Sequence, residues 1–298
     1  MTAATLQGAL RLTDWGLIRA QGAEARSFLH SQLTQDMLHL DEGSARLAGY
    51  CSAKGRLLAS FIVWQRGPDE VLLACSADLL TTTLKRLSMF VLRAKCKLSD
   101  ATAELPLYGL AGAAADAAVW SRRHAEGVDL IRLPDAAGST RWLQAGGELP
   151  AGPALSDQAW RWLEVQSGVP RIVAATVEQF VPQMVNLEVV GGVNFQKGCY
   201  PGQEIVARSQ YRGTLKRRAY LFDADGAAQV GQELFASGDP GQPAGLVAAA
   251  APAPDGSGRY AVLAETKIAA LADTLHLGSA EGPLLVPAAL PYALPADR

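Results

Sequence analysis

Cysteine is scarce in this chain, with four residues in 298, at positions 51, 75, 96 and 199, and no Cys-x-x-Cys pair. That spacing argues against a zinc ribbon or a ferredoxin-type cluster held by this chain alone. Scattered thiols fit a reducing cytoplasm rather than a disulfide framework. Histidine is equally rare, at 30, 39, 124 and 276. None of the four falls in a recognisable triad motif, which speaks against a Cys–His hydrolase. There is no G-x-x-x-x-G-K-[ST] loop and no G-x-G-x-x-G after a strand, so phosphate-loop and dinucleotide chemistry are not indicated. No apolar run approaches the roughly 20 residues of a membrane span. Residues 1–11 lack the basic start and apolar core of a secretory signal, so none is expected. There is no tandem repeat and no oligomer signal.

What is present is ordinary for a globular protein: 49% hydrophobic and 19% charged residues, at a length that suits two or three domains. The periodicity reads as mixed α and β. A helix is expected over 24–33. A strand pair, 45–51 and 57–64, is joined by a turn in which Gly55 supplies the flexible residue. A third strand spans 71–75. Asp78 is expected to cap a helix to about Met89, with Leu80, Leu84 and Leu87 on one stripe. A strand follows over 93–98. The order strand, strand, strand, helix, strand indicates an α+β layer. Strands at 105–110 and 128–133 flank an Ala-rich stretch that reads as a helix. Ser156 can cap a helix containing Trp160, Leu163 and Val165, with Gly168 and Pro170 placed to end it. From Ala219 onward short apolar segments alternate with turns and read as a small all-β domain. The Ala-Pro repeats around 249–254 are expected to form a long, mobile turn.

The most informative stretch is Asn194 to Glu204. It sets Cys199 between Lys197, Gly198, Gly202 and Pro201, a proline able to open a helix. A short helix is expected over 203–211, with Gly213 available to stop it. Cys199 would then lie just outside a helix N-terminus, where unpaired N–H groups favour an anion. Lys197 adds positive charge. Both effects favour thiolate over thiol, the condition for a reactive cysteine; the other reading is a small buried apolar residue. From 197 to 218 there are six basic residues, Lys197, Arg208, Arg212, Lys216, Arg217 and Arg218, against Glu204 alone, on a chain of net formal charge −2. That concentration suggests an anion site, for a carboxylated cofactor, a phosphate or an RNA backbone; its alternative is a solvated charged edge.

Lys197-Gly198-Cys199-Tyr200-Pro201-Gly202-Gln203-Glu204 resembles the K-G-C-[FY]-x-G-Q-E signature of the YgfZ family. These are folate-binding relatives of the T-protein (aminomethyltransferase) of the glycine cleavage system. They are associated with maintenance of iron–sulfur enzymes and, through them, with tRNA modification. Other segments agree in order: Leu12-Thr13-Asp14-Trp15, the run from Phe28 to Asp36, Cys51 to Arg56, and Gln179 to Leu187.

The resemblance implies a T-protein-like, three-domain α+β ring around a central folate site. In this arrangement residues 1–43 and 101–215 form a discontinuous folate-binding domain. Residues 44–100 are an inserted ferredoxin-like domain, and 216–298 a C-terminal β-barrel. It further implies that Trp15 and Trp160 face tetrahydrofolate or a derivative, with Gln183, Asn186 and Glu188 at the pterin edge. Tyr200, Gln203, Glu204, Arg208 and Arg212 are expected to contribute to cofactor binding, and Cys199 and Lys197 to catalysis. One departure bears on activity. T-proteins carry an acidic pair, Gly-Gly-Ile-x-Asp-Asp, where this chain has Gly55-Arg56-Leu57-Leu58-Ala59-Ser60. Neither Ala59 nor Ser60 can serve as that carboxylate, so aminomethyl transfer is not expected.

The expected function is synthesis or repair of iron–sulfur enzymes, including tRNA-modifying ones, by a cytoplasmic folate-binding protein with a reactive cysteine. Its partners would be iron–sulfur clients or assembly proteins, with direct tRNA contact a further option and no membrane. A folate-dependent one-carbon transferase acting on protein or RNA is the alternative. A non-catalytic scaffold is the third.

Overall fold

The computed structural model describes residues 6–114, 116–211 and 215–295. Along the chain run β1 (Gly8–Arg11), β2 (Trp15–Gln21), α1 (Ala25–Gln32), β3 (Ala45–Cys51), β4 (Leu57–Gly67), β5 (Glu70–Ser76), α2 (Ala77–Val91) and β6 (Lys97–Asp100). Next come β7 (Leu107–Ala111), β8 (Arg122–Ala125), β9 (Val128–Ala136), β10 (Ser139–Ala145), α3 (Asp157–Gln166) and α4 (Gln203–Tyr211). The chain closes with β11 (Arg217–Ala224), β12 (Glu233–Ala236), β13 (Asp239–Pro252), β14 (Tyr260–Lys267), β15 (Leu275–Leu277) and β16 (Leu284–Ala288). No helix among the described residues is long and apolar enough to cross a membrane.

The central sheet has the order β3-β4-β5-β2-β6. Its longest strand, β4, reads Leu57-Leu58-Ala59-Ser60-Phe61-Ile62-Val63-Trp64 and is buried along nearly all of that run. A strand buried on both faces needs such a continuous apolar sequence rather than an alternation. One face, with Phe61, Val63 and Leu73, packs under α1, α2 and the segment around Phe180, Val185 and Leu187. The other, with Leu17, Ile62, Trp64 and Leu72, packs against Leu107, Ile131 and Leu143 of a second sheet and against α3. That second sheet has the order β1-β7-β10-β9-β8. The C-terminal strands close a barrel in the order β11-β14-β13-β12-β15-β16, which removes free sheet edges. The expected α+β architecture with a terminal barrel is the one observed.

Strand pairing divides residues 1–43 between two sheets: β1 pairs with β7, whereas β2 pairs with β5 and β6. The three-domain partition at 1–43 with 101–215, 44–100 and 216–298 is kept as a proposal about folding units.

Several local expectations change. Asp78 does not cap α2, whose N-cap is Ser76; its carboxylate accepts from the Ala174 N–H at 2.9 Å instead. The Ala-rich stretch after β7 forms no helix among its described residues and is largely exposed. A short alanine run with no apolar face to bury cannot repay helix nucleation. The Ala-Pro run belongs mostly to β13, paired with β14 from Gly245↔Thr266 to Pro252↔Tyr260, so the turn begins only at Ala253. Ser156 does cap α3, accepting from the Ala159 N–H at 3.1 Å. Gly168, at φ +64°, follows the end of that helix.

Gly109 in β7 is the contact point between sheet and helix. A Cβ there would stand 2.8 Å from the Trp160 ring. Gly109→Ala is therefore expected to cost about 1–3 kcal/mol through overpacking. A denaturant midpoint unchanged from wild type would contradict that packing.

Candidate functional site

The Cys199 segment is fastened to the end of α1. Asn194 donates its backbone N–H to Thr34 O at 2.9 Å, and the Gln35 amide donates to Gly191 O at 2.6 Å. The Lys197 ammonium donates to Leu33 O at 2.7 Å and also to His30 O. It thus satisfies carbonyls at the C-terminus of α1, where a cation also meets the negative end of the helix dipole. It sits 4.9 Å from the Tyr200 ring centroid. Burial pushes the Lys197 amine down to about 8, against the pull of Asp36 and Cys199. On the other side Gly202, at φ +78°, presses on the turn between β3 and β4. A Cβ there would lie 2.4 Å from Ser52 O and 2.6 Å from Gly55. The motif needs glycine at this position for its left-handed backbone and for that approach.

Cys199 itself is exposed, alone among the four cysteines. Burial pushes the thiols of Cys51 and Cys75 up to about 12 and that of Cys96 to about 11. The helix α4 starts at Gln203 as expected. Its first N–H groups are already engaged: Gln203 donates to Tyr200 O, and Ile205 and Val206 donate to Gly202 O. The nearby imidazole of His30, which the sequence did not single out, has Nδ1 3.1 Å from Asp36 Oδ1. Its Nε2 stands 3.4 Å from where a Gly198 Cβ would be. Burial and the Lys197 charge push the His30 imidazolium down, partly offset by Asp36. Burial opposes ionisation of Asp36, but hydrogen bonds from His39 and Leu38 prevail and hold its carboxyl down to about 2.

Three of the six basic residues of the segment are neutralised by carboxylates. Arg208 pairs with Glu204 at 3.0 Å on the surface, Arg217 with Glu265 at 2.5 Å, and Arg218 with Glu188 at 2.8 Å in the interior. Lys216 is exposed, and Arg212 lies outside the described residues, as does Gly213. Gln183, Asn186 and Glu188 are brought together with Arg218 in a joint to the barrel. The Gln183 amide donates to Val206 O and the Asn186 amide to Ala219 O, both at 2.8 Å, while Arg218 donates to Asn186 Oδ1 at 3.1 Å. Asn186 takes φ +58°, a left-handed conformation its side chain tolerates. Tyr200 is buried, and Gln203 donates to Lys197 O at 3.5 Å.

A chamber of about 430 Å³ opens elsewhere, where the end of the central sheet, α3 and the barrel meet. Asp14, Asp78, Glu164 and Arg171 line it, with Val230 and Ala248 to Ala250 supplied by the barrel side. Arg171 donates to Asp14 Oδ2 at 2.7 Å and to Asp14 O at 3.1 Å, and lies 3.5 Å from Glu164 Oε2. The Trp15 indole N–H donates to Glu164 Oε1 at 3.0 Å, and the Arg171 guanidinium lies 4.7 Å from the Trp15 ring centroid. Burial raises the Glu164 pKa, opposed by Arg171. Glu164 and Arg171 also form part of the wall of a smaller inner chamber of about 50 Å³, which Trp15, Trp120 and Arg141 also line.

The expected single site is thus spread over three places. Trp15 stands behind the chamber. Trp160 is 1% exposed, held between Gly109 and the Arg141 guanidinium, and lines neither chamber, so its ring faces are taken up by the fold. Cys199 and Lys197 do not line the chambers either. Glu164 and Arg171 were overlooked in sequence, although Glu164 lies in the quoted Leu163-Glu164 segment. Its carboxylate on the buried side of α3 was the available signal. Ser60 lines the inner chamber, and its hydroxyl accepts from the Ile172 N–H at 2.9 Å.

No family model matches the chain. Among curated proteins it is 35% identical over 252 residues to the tRNA-modifying protein YgfZ of Edwardsiella ictaluri, covering 74% of this chain and 71% of that one. It is 31% identical over 278 residues to that of Klebsiella pneumoniae, covering 83% and 82%. Among solved structures it resembles the glycine cleavage system aminomethyltransferase T of Bartonella henselae, with a TM-score of 0.71 at 16% identity over 96% of this chain and 85% of that one. This likeness establishes the fold.

The exposure pattern predicts one fast thiol. Brief alkylation of the native chain should add a single label at Cys199, read by peptide mass spectrometry. Cys51 and Cys75 should react only after unfolding. Equal native labelling of the buried pair would contradict the arrangement.

Proposed function

From the premise that this chain belongs to the YgfZ family, we propose that it binds a folate in the chamber beside Glu164 and Arg171 and serves tRNA modification by maintaining iron–sulfur enzymes, with Cys199 as its working thiol. The observation that carries the folate reading is the pairing of a half-buried carboxylate and a half-buried guanidinium on the wall of a chamber of about 430 Å³. That volume is in the range of small-ligand sites, about 300–1,000 Å³. A pterin edge presents N–H donors beside a carbonyl acceptor. An ionised Glu164 accepts the former and Arg171 donates to the latter, so the residues present fit the group. A bound reduced folate would supply one-carbon chemistry. The chain's own part is to bind, orient and shield it.

Trp15 acts through Glu164, holding its carboxylate by the indole N–H. Trp160, Gln183, Asn186 and Glu188 keep a supporting role, fixing α3 and the barrel that form the chamber's walls. At the other place, Lys197 faces the charge of an accessible sulfur, and the His30–Asp36 pair lies beside the neighbouring Gly198. A thiol so placed can attack a client disulfide: Cys199 forms the mixed disulfide and the client's leaving sulfur departs as thiolate, taking up a proton.

Two outcomes test this reading. Folate titration followed by tryptophan fluorescence should show quenching that Glu164→Gln weakens. Because the folded Glu164 pKa lies above the ordinary carboxylate value, it is protonated at low pH and affinity should rise as pH climbs through that raised pKa. Glu164→Gln should flatten the rise. No quenching in wild type at high micromolar folate would remove the cofactor. Separately, Cys199→Ala should fail to restore iron–sulfur enzyme activity in a strain lacking its own family member. Full restoration would end the thiol role.

A further inference from the structure

A run of cations uninterrupted by acidic residues lies on α2 and the turn that follows it. From 79 to 99 the chain carries Lys85, Arg86, Arg93, Lys95 and Lys97 and no acidic residue. All five are exposed, and none forms an ion pair among the described residues. Arg86 also bonds the Tyr50 hydroxyl, which steadies the guanidinium without neutralising it. On the same exposed flank Phe90 is 46% and Met89 59% exposed. Leu92 takes φ +47°, a costly backbone for a branched side chain, and is left 87% exposed. Strain that turns an apolar side chain outward is a feature of functional surfaces. Beside these residues runs a groove of about 310 Å³, lined by Thr82, Lys85, Arg86 and Met89.

We infer that this flank of α2 and the turn to β6 dock single-stranded RNA. Unpaired cations at intervals follow a phosphate backbone, and an exposed aromatic ring offers a surface on which a base stacks. RNA is read chiefly through bases splayed out of a strand, and such a base needs a concave seat. The groove supplies that seat. The Thr81 hydroxyl is on the exposed side and provides a further phosphate donor. The inference goes beyond the folate reading and does not depend on the chamber.

The test is fluorescence anisotropy of a short labelled single-stranded RNA with the full chain and no folate, across a salt series. Five contacting cations predict a log–log salt slope of about −3.5. Arg86→Ala with Arg93→Ala should make the slope shallower by about 1.4, whereas the remote exposed pair Arg11→Ala with Arg259→Ala should not change it. Phe90→Ala should weaken binding about 5- to 150-fold, and Phe90→Leu should not rescue it, because leucine has no face to stack on. The idea is overturned if both arginine pairs lose the same slope or if Phe90→Leu binds like wild type. It is equally overturned if wild type ignores RNA while binding anionic vesicles or an acidic peptide. Loss of folate binding with RNA binding intact would count against the chamber alone.

Discussion

The central sheet is apolar on both faces, and that constraint organises the molecule. A sheet of this kind has to be covered twice. One cover comes from α1, α2 and the irregular segment around Phe180 to Val193; the other comes from the second sheet with α3. Burial of this order stabilises by roughly 25 cal/mol per Å² of apolar surface, more than any single polar contact contributes. The functional segments are consequences of the covering. The Cys199 loop reaches the surface because its chain has just crossed one face of the sheet. The chamber exists because α3, pressed on the other face, leaves its Glu164 side toward the barrel.

Polar groups caught between these layers had to find partners, and they did so across long sequence separations. Arg171 reaches Asp14, Trp15 reaches Glu164, and Arg218 reaches Asn186 and Glu188. Each contact joins segments far apart in the chain. An unpaired buried charge would cost several kcal/mol, so such pairs fix how the layers sit together even where their net contribution is small.

Much of this was legible in the residues. The hairpin of β3 and β4, the capped helix α3, the start of α4 and the all-β end followed from periodicity and turn chemistry. Less legible were the strands whose partners are remote, such as β1 and β2, since pairing with β7 and β5 is decided by tertiary packing. The Ala-rich stretch failed as a helix because propensity without a face to bury is weak. At the site, composition located the Cys199 motif but misjudged its charge. Sequence shows that Arg208, Arg217 and Arg218 are present; it does not show that Glu204, Glu265 and Glu188 stand against them. The same limit hid the α2 strip, whose cations form no ion pair among the described residues.

The distribution of sites also constrains how a folate could influence the thiol. Cys199 lines neither chamber, so a ligand there acts on it through the fold rather than by contact. The chamber's wall draws on the end of the central sheet, on α3 and on the barrel. A molecule bridging those three parts stabilises their arrangement by RT ln(1 + [L]/Kd), and only that arrangement. The sheet is continuous from Ser76, on the chamber wall, through β5 and β4 to β3, whose turn at Ser52 to Gly55 carries the weight of Gly202. The Cys199 loop is therefore anchored to the same rigid element that the ligand would clamp. Occupancy can be communicated along it without any group leaving the chamber, and this connection is a physical reason for one chain to carry both the chamber proposed for folate and a separate surface thiol.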